Sequence, residues 1–151
     1  MAYANGSVFA ATAEGAAGKI RRITASSGAI SETSGDLGGP CWGCAVIGAS
    51  ASDATVATVN LTDSAVEGLS AFEVAVGTWS AAWSLDLSAL ATHAGAATAG
   101  ADIVATPDAS RAFVSAGPSN PHLYCIDDQG VVLWSVDCGD DSTLTDVTGV
   151  L

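Results

Sequence analysis

Basic side chains are what this sequence has least of: 4 Lys and Arg against 16 Asp and Glu in 151 residues, for a net charge of -12. Charged residues make up only 13% of the chain, so the acidity comes from missing cations rather than from abundant carboxylates. A field of that sign, with a pI near 4.1, excludes roles that track phosphate, because nucleic-acid binders carry the opposite charge. Long apolar runs are also missing. None approaches the roughly 18 residues that a bilayer-spanning helix needs, so none is expected to insert. The opening Met1-Ala2-Tyr3-Ala4-Asn5-Gly6 has neither a basic start nor an apolar core, so no secretory signal is expected. Helical periodicity is absent as well: the nearest candidate, Leu87 to Ala99, is broken by Gly95 and lacks a cap. What the chain does have is a hydrophobic fraction of 49%, four Trp and 30 Ala, which fits one packed domain over 1–151 better than a solvated tail. The expectation is a small, acidic, soluble protein.

Chemistry-bearing constellations are equally sparse. The two histidines, His93 and His122, stand apart from one another with no G-x-S-x-G elbow, so a Ser-His-Asp hydrolase is not supported. Asp127-Asp128 and Asp137 with Asp140-Asp141 lack the D-x-D-x-D-G spacing of a calcium loop and read as turn residues. Cys41 and Cys44 form a C-x-x-C, but they lead into Ala45-Val46-Ile47-Gly48-Ala49, a strand-like run. A reactive pair sits at a helix start, where the dipole lowers the thiol pKa. Cys125 and Cys138 have twelve residues between them, unlike the second half of a paired zinc motif. Buried thiols are the simplest reading of all four; a structural disulfide and metal or redox chemistry are the alternatives. No catalytic residue, cofactor or metal is expected.

Runs of β-branched, aromatic and small residues bounded by Gly, Pro, Asn, Asp and Ser predict strands. They cover Ser7–Thr12, Lys19–Ala25, Ala29–Thr33, Cys44–Ala49, Thr55–Asn60, Gly68–Val76, Trp79–Leu85, Ile103–Thr106, Ala112–Ala116, His122–Asp127, Val131–Asp137 and Thr143–Leu151. Turns containing Gly6, Gly28, Gly77 and Gly130 join several of them as hairpins. An internal repeat runs through this pattern. Trp83-Ser84-Leu85-Asp86 and Trp134-Ser135-Val136-Asp137 match 51 residues apart, each after a hairpin that starts near Phe72 or Tyr124. A third copy around Ile20–Ser31 places position 31 or 32 where the Trp would be. Three periods of about 51 residues nearly exhaust the chain, and four strands per unit of that length predict β-propeller blades. The expected fold is all-β: three four-stranded antiparallel blades, forming half of a ring or an open array. Trp83, Trp134, Phe72 and Tyr124 are the expected blade-packing residues.

The stretch Leu123-Tyr124-Cys125-Ile126-Asp127-Asp128-Gln129-Gly130-Val131-Val132-Leu133-Trp134 resembles the blade repeat of quinoprotein-type (PQQ-type) propellers. There, a Gly-containing turn followed by Trp closes each blade. The resemblance covers about 15 residues in each of three copies and implies a propeller fold. The quinoprotein dehydrogenases hold their cofactor and calcium through residues of a complete eight-bladed ring. None of those residues can be placed here, so that activity does not carry over.

Three blades alone leave unpaired edges, which invite association. The last predicted strand, through Val150 and Leu151, followed by the start of the chain at Tyr3, has the strand-turn-strand shape found inside each repeat. It therefore predicts a blade split between the two ends. Tyr3, Val150 and Leu151 are candidate interface residues. So are Lys19, Arg21 and Arg22, the one local break in the acidic field. The expected role is a non-enzymatic structural or interaction module, a homo-oligomer or a subunit of a larger assembly. Low lysine content and an Ala/Gly/Thr-rich chain resemble virion proteins of phages, such as tail, collar or capsid-accessory subunits, which would place it in a virion or the cytoplasm. The alternatives are a carbohydrate- or ligand-binding propeller and a fragment of a quinoprotein-type enzyme.

Overall fold

The computed structural model describes residues 1–14, 17–37, 39, 41–49, 54–62, 66–75, 77–86, 102–116 and 122–138. The predicted strand Thr143–Leu151, with Val150 and Leu151, lies outside these residues, as do His93 and the Leu87–Ala99 segment. The described residues contain no helix; they form twelve strands in three antiparallel sheets of four, each a meander in chain order. The first sheet is β1 (Ala2–Ala4), β2 (Ser7–Glu14), β3 (Ala17–Thr24) and β4 (Ile30–Thr33). The second is β5 (Cys41–Ala49), β6 (Ala54–Thr62), β7 (Val66–Ala75) and β8 (Thr78–Asp86). The third is β9 (Asp102–Ala105), β10 (Arg111–Ala116), β11 (His122–Asp127) and β12 (Val132–Asp137). None closes on itself, and together they make an open, propeller-like array.

One expectation is corrected at the N-terminus. Ala2–Ala4 is itself a strand, returned onto β2 through Asn5-Gly6 with Ala4 opposite Ser7. Both turn residues have positive φ, 50° and 72°, the two-residue hairpin geometry that Asn-Gly favours. The first sheet therefore finds all four strands within residues 2–33 and needs none from the other end of the chain.

The repeat is more regular in register than in sequence. In every sheet the last hairpin carries a glycine at positive φ: Gly28 (69°), Gly77 (79°) and Gly130 (78°). Each last strand also has a bulge at the same place, between Arg22 and Ile23, Ala71 and Phe72, and Cys125 and Ile126 of the partner strand. The residues just past the bulge are Glu32, Trp83 and Trp134, each 51 after the one before. Of the two positions open in the first copy, the register selects 32. A bulge increases local twist. Three identical bulges give three sheets the same twist, a precondition for stacking them one on the next.

The bulge residue ends a row that crosses each sheet from strand to strand. The rows are Ala2–Phe9–Arg22–Glu32, Ala45–Ala57–Ala71–Trp83 and Val104–Phe113–Cys125–Trp134. The first looks towards the second sheet and the second towards the third. Around Phe9, one core joins Ile20 to Cys44, Val46, Val56 and Val74; Trp79 packs edge-on to Phe9, with centroids 6.4 Å apart. A second core joins Ala45, Ile47, Ala57 and Ala71 to Ile103, Ala112, Val114, Tyr124 and Ile126, with Trp83 and Leu85 packed on it. The middle sheet is thus buried on both faces, which accounts for its near-continuous Ala/Val/Ile runs. Small residues are used where backbones approach closely: a Cβ at Gly43 of β5 would meet the Asp102 carboxylate and the Ile103 amide of β9.

The row residue also clasps the last hairpin of the next sheet. Glu32 Oε1 accepts from the Gly77 amide at 3.0 Å, and the Trp83 indole donates to the Asp128 carbonyl at 2.9 Å. The Trp83 ring lies on Gly130 so closely that a Cβ there would sit 2.5 Å from Cε3. Gly130→Ala should therefore combine backbone strain with a clash and cost about 2–4 kcal/mol of unfolding free energy. Gly77→Ala, with open space around it, should cost only about 1 kcal/mol. Urea unfolding of the two variants checks the difference; equal losses would show that the ring contact contributes nothing.

Candidate functional site

Two places in the array could carry function: a cleft beside the first strands and the outer faces of the two end sheets. Strands β1, β5 and β9 lie side by side and line an open cleft of about 510 Å³. Its walls are mostly alkyl, from Ala2, Ala4, Ala45, Val46, Ile103 and Val104, with Tyr3, Asn5 and Thr106 among the few polar groups. Asp108 lies in the turn beside it. Its carboxylate accepts from the Thr106 hydroxyl at 2.6 Å and from Ser110, which holds its pKa below the usual carboxylate range. It is a turn residue organised by its neighbours rather than an acid poised for proton transfer. Among the described residues, no group of three His, Cys, Asp or Glu side chains is placed to hold a metal ion.

The C-x-x-C lies on a strand, as its sequence context predicted. The bulge between Cys41 and Gly43 brings Cys41 and Cys44 opposite Asn60 and Thr58, alternate residues of β6, and so onto one face. None of the four cysteines is in a disulfide. Cys41, Cys44 and Cys125 are buried, and Cys138 is half-buried. Burial, opposed in part by a hydrogen bond with Thr58, pushes the Cys41 thiol up to about 11. Burial also raises Cys44, whose Sγ donates to the Phe9 carbonyl at 3.2 Å. A redox or metal-binding pair needs accessible thiolate; here Cys44 packs in the core between the first and second sheets, and Cys41 is buried against Gly18 of β3.

The remaining sequence-predicted residues fall on the sheet faces. Trp83 packs between the second and third sheets, and Tyr124 is fully buried there, stacked on His122 with centroids 5.9 Å apart. Phe72 has its backbone in β7; its side chain lies outside the described residues. Trp134 has the register of Trp83 but, among the described residues, no sheet beyond it. It leans on Phe113 of its own sheet, centroids 5.9 Å apart, and stays 41% exposed. Val136, the counterpart of packed Leu85, is 50% exposed. Strand alternation divides the basic cluster. Arg22 shares a row with Phe9 and faces the second sheet, bonded to Ser7 Oγ at 2.9 Å and paired with Glu32 at 3.4 Å. Lys19 and Arg21 belong to the opposite, outer face of the first sheet.

That outer face has an order of its own. In the third sheet, the row that receives the second is Ala105–Ala112–Ile126–Val132, and the corresponding row in the second sheet starts Val46–Val56. The equivalent row in the first sheet is Tyr3–Val8–Ile23–Ile30, apolar throughout; Val8 and Ile23 are half-buried, and no other sheet among the described residues packs on the row. Tyr3 is 66% and Ile30 52% exposed. Sequence reasoning picked out Tyr3 and Trp134 but missed Val8, Ile23, Phe113 and Val136. Their signal was the period-2 alternation around those two residues, read on the outward side.

No family model matches the chain, and no curated protein does. Among solved structures, it is similar to a protein of unknown function from Bacteroides caccae, at 16% identity and a TM-score of 0.52. The match covers 89% of this chain and 41% of the other, so the chain spans about two-fifths of that protein's length. At that identity the likeness speaks to fold alone.

Thiol chemistry offers a direct check. The thiolate is the reactive form, so at pH 8 a pKa near 11 leaves about one Cys41 in a thousand reactive. With an aromatic disulfide reagent, Cys138 should react first, and Cys41 and Cys44 only as the chain opens. The unfolded Cys41 thiol ionises near 9.0 and the folded one near 11. Its contribution to stability is therefore complete below pH 9 and lost as pH rises through 11. Fast labelling of Cys41 at pH 7 would contradict its place in the core.

Proposed function

We propose that this chain is a non-enzymatic structural and interaction module, whose two end faces dock blades in a larger propeller-like assembly. The observation that carries the proposal is the row ending in Trp134. It repeats the row through which Trp83 and Leu85 pack on the next sheet, yet leaves Trp134 and Val136 about half in water. With Val131 and Leu133 also exposed, four large apolar residues between 131 and 136 face water, the kind of surface that marks an interaction site on a small protein. A sheet with two apolar faces is satisfied only when both are covered, as the middle sheet is. The cleft, walled by alkyl groups, supplies little for bond-making chemistry. Low lysine and an Ala-rich chain are what favour a virion as the setting.

A sugar-binding reading draws on the same Trp134, since an exposed indole beside Phe113 offers a stacking platform. The two readings part on one pair of substitutions. Trp134→Glu with Val136→Glu should convert an associated protein into a 14.8 kDa species with an unchanged β-type circular dichroism spectrum. A glycan array should stay silent for both forms. A wild-type chain that is already a 14.8 kDa monomer, or glycan binding abolished by Trp134→Glu, would contradict the assembly role.

A further inference from the structure

Resting on that reading, we infer that the surface covering Trp134 is the first sheet of a second copy of this chain, joined head to tail. The interface already exists twice within one molecule. In each case the row after the bulge packs on the receiving row of the next sheet, and its last residue clasps that sheet's final hairpin: Glu32 on Gly77, Trp83 on Gly130. The described residues hold three residues at the clasp position and three such hairpins but only two junctions. Trp134 is left over at one end and the Gly28 hairpin at the other.

The leftover halves match. In both hairpins the positive-φ glycine precedes the residue whose carbonyl closes the turn, Ala29 accepting from the Thr24 amide at 2.9 Å and Val131 from the Asp127 amide at 3.0 Å, with the Gly28 turn one residue longer. A Cβ at Gly130 would strike Trp83, whereas nothing lies within 4 Å of one at Gly28. The turn around Gly28 is exposed from Ala25 to Ser31. Beside it stands the receiving row, Tyr3–Val8–Ile23–Ile30, exposed at both ends and met by no other sheet among the described residues. By the geometry of Trp83, the Trp134 indole of one copy lies on Gly28 of the other and donates to a carbonyl of that turn. Val136 and Phe113 meet the receiving row. Lys19 and Arg21 on the receiving face offset part of the repulsion between two chains of -12. The contact is heterologous, so its two halves are different surfaces. Two copies joined at both ends would make a six-bladed ring.

Gly28→Asn separates this contact from folding. Asn tolerates positive φ better than other side chains, and the space around Gly28 within one chain is open, so the monomer fold should survive. The added side chain would occupy the ring's position in the junction. Light scattering should give wild type a mass near twice 14.8 kDa, and Gly28→Asn a mass of 14.8 kDa with wild-type circular dichroism. A photo-reactive phenylalanine at position 134 should cross-link to residues 24–29 of an isotope-labelled second copy. Mixing Gly28→Asn with Trp134→Glu should restore association, because one intact junction remains between the two variants. A monomeric wild type would overturn both this inference and the assembly role. An associated protein whose cross-links map elsewhere, or that ignores Gly28→Asn, would overturn this inference and leave the assembly role standing.

Discussion

The whole array depends on one contact: the residue just past a β-bulge reaching onto the glycine hairpin of the next sheet. In its fullest form it uses three things together. The bulge turns the residue out of its own strand, the glycine leaves a flat place with no Cβ, and a free carbonyl or amide fixes the direction. Trp83 on Gly130 and Asp128 shows all three. Glu32 on Gly77 shows that the contact is a position rather than a residue type: a carboxylate accepting an amide replaces an indole donating to a carbonyl. Because Glu32 also bonds Arg22, the polar version carries its own counterion within the row. Everything else in the stack, including the Ala-rich interior and the close approach at Gly43, follows from holding sheets at one spacing.

That positional character decides what the sequence could reveal. Trp83 and Trp134 announce the period because they are rare, large and 51 residues apart. Glu32 has the same spacing, yet a charged residue in place of Trp blurs the first copy, which is why residue 31 and residue 32 read as equally good. Strand existence was legible nearly throughout, since β-branched runs alternate with turn residues. Ala2–Ala4 was the exception. Three residues of alanine and tyrosine carry no strand signal of their own, and only the Asn5-Gly6 turn placed them. The sidedness of the basic cluster was legible in principle by period-2 alternation, but register decides which side faces in. Pairing of Phe9 with Arg22 turns that arginine inward and leaves Lys19 and Arg21 outside.

The acidity also acquires a physical place. Of the four cations, Arg22 is used inside the stack and Lys19 and Arg21 mark the receiving face. At the hairpins, Asp108 and Asp127 bond neighbouring amides. In the proposed assembly, chains of one sign would repel everywhere except where their apolar faces meet. The buried thiols fit the same picture: Cys44 fills space between sheets, and its raised pKa follows from being sealed there.

The most direct test of the repeated clasp is the proton–nitrogen spectrum of the four tryptophan indoles, followed on dilution. The Trp83 indole, bonded within its own chain to Asp128, should keep its shift and its slow solvent exchange at every concentration. The Trp134 indole should match it when concentrated and move to a fast-exchanging, solvated position when dilute, because in the proposed junction its carbonyl partner is on another molecule. A Trp134 resonance that is solvated and constant across the whole range would contradict the account.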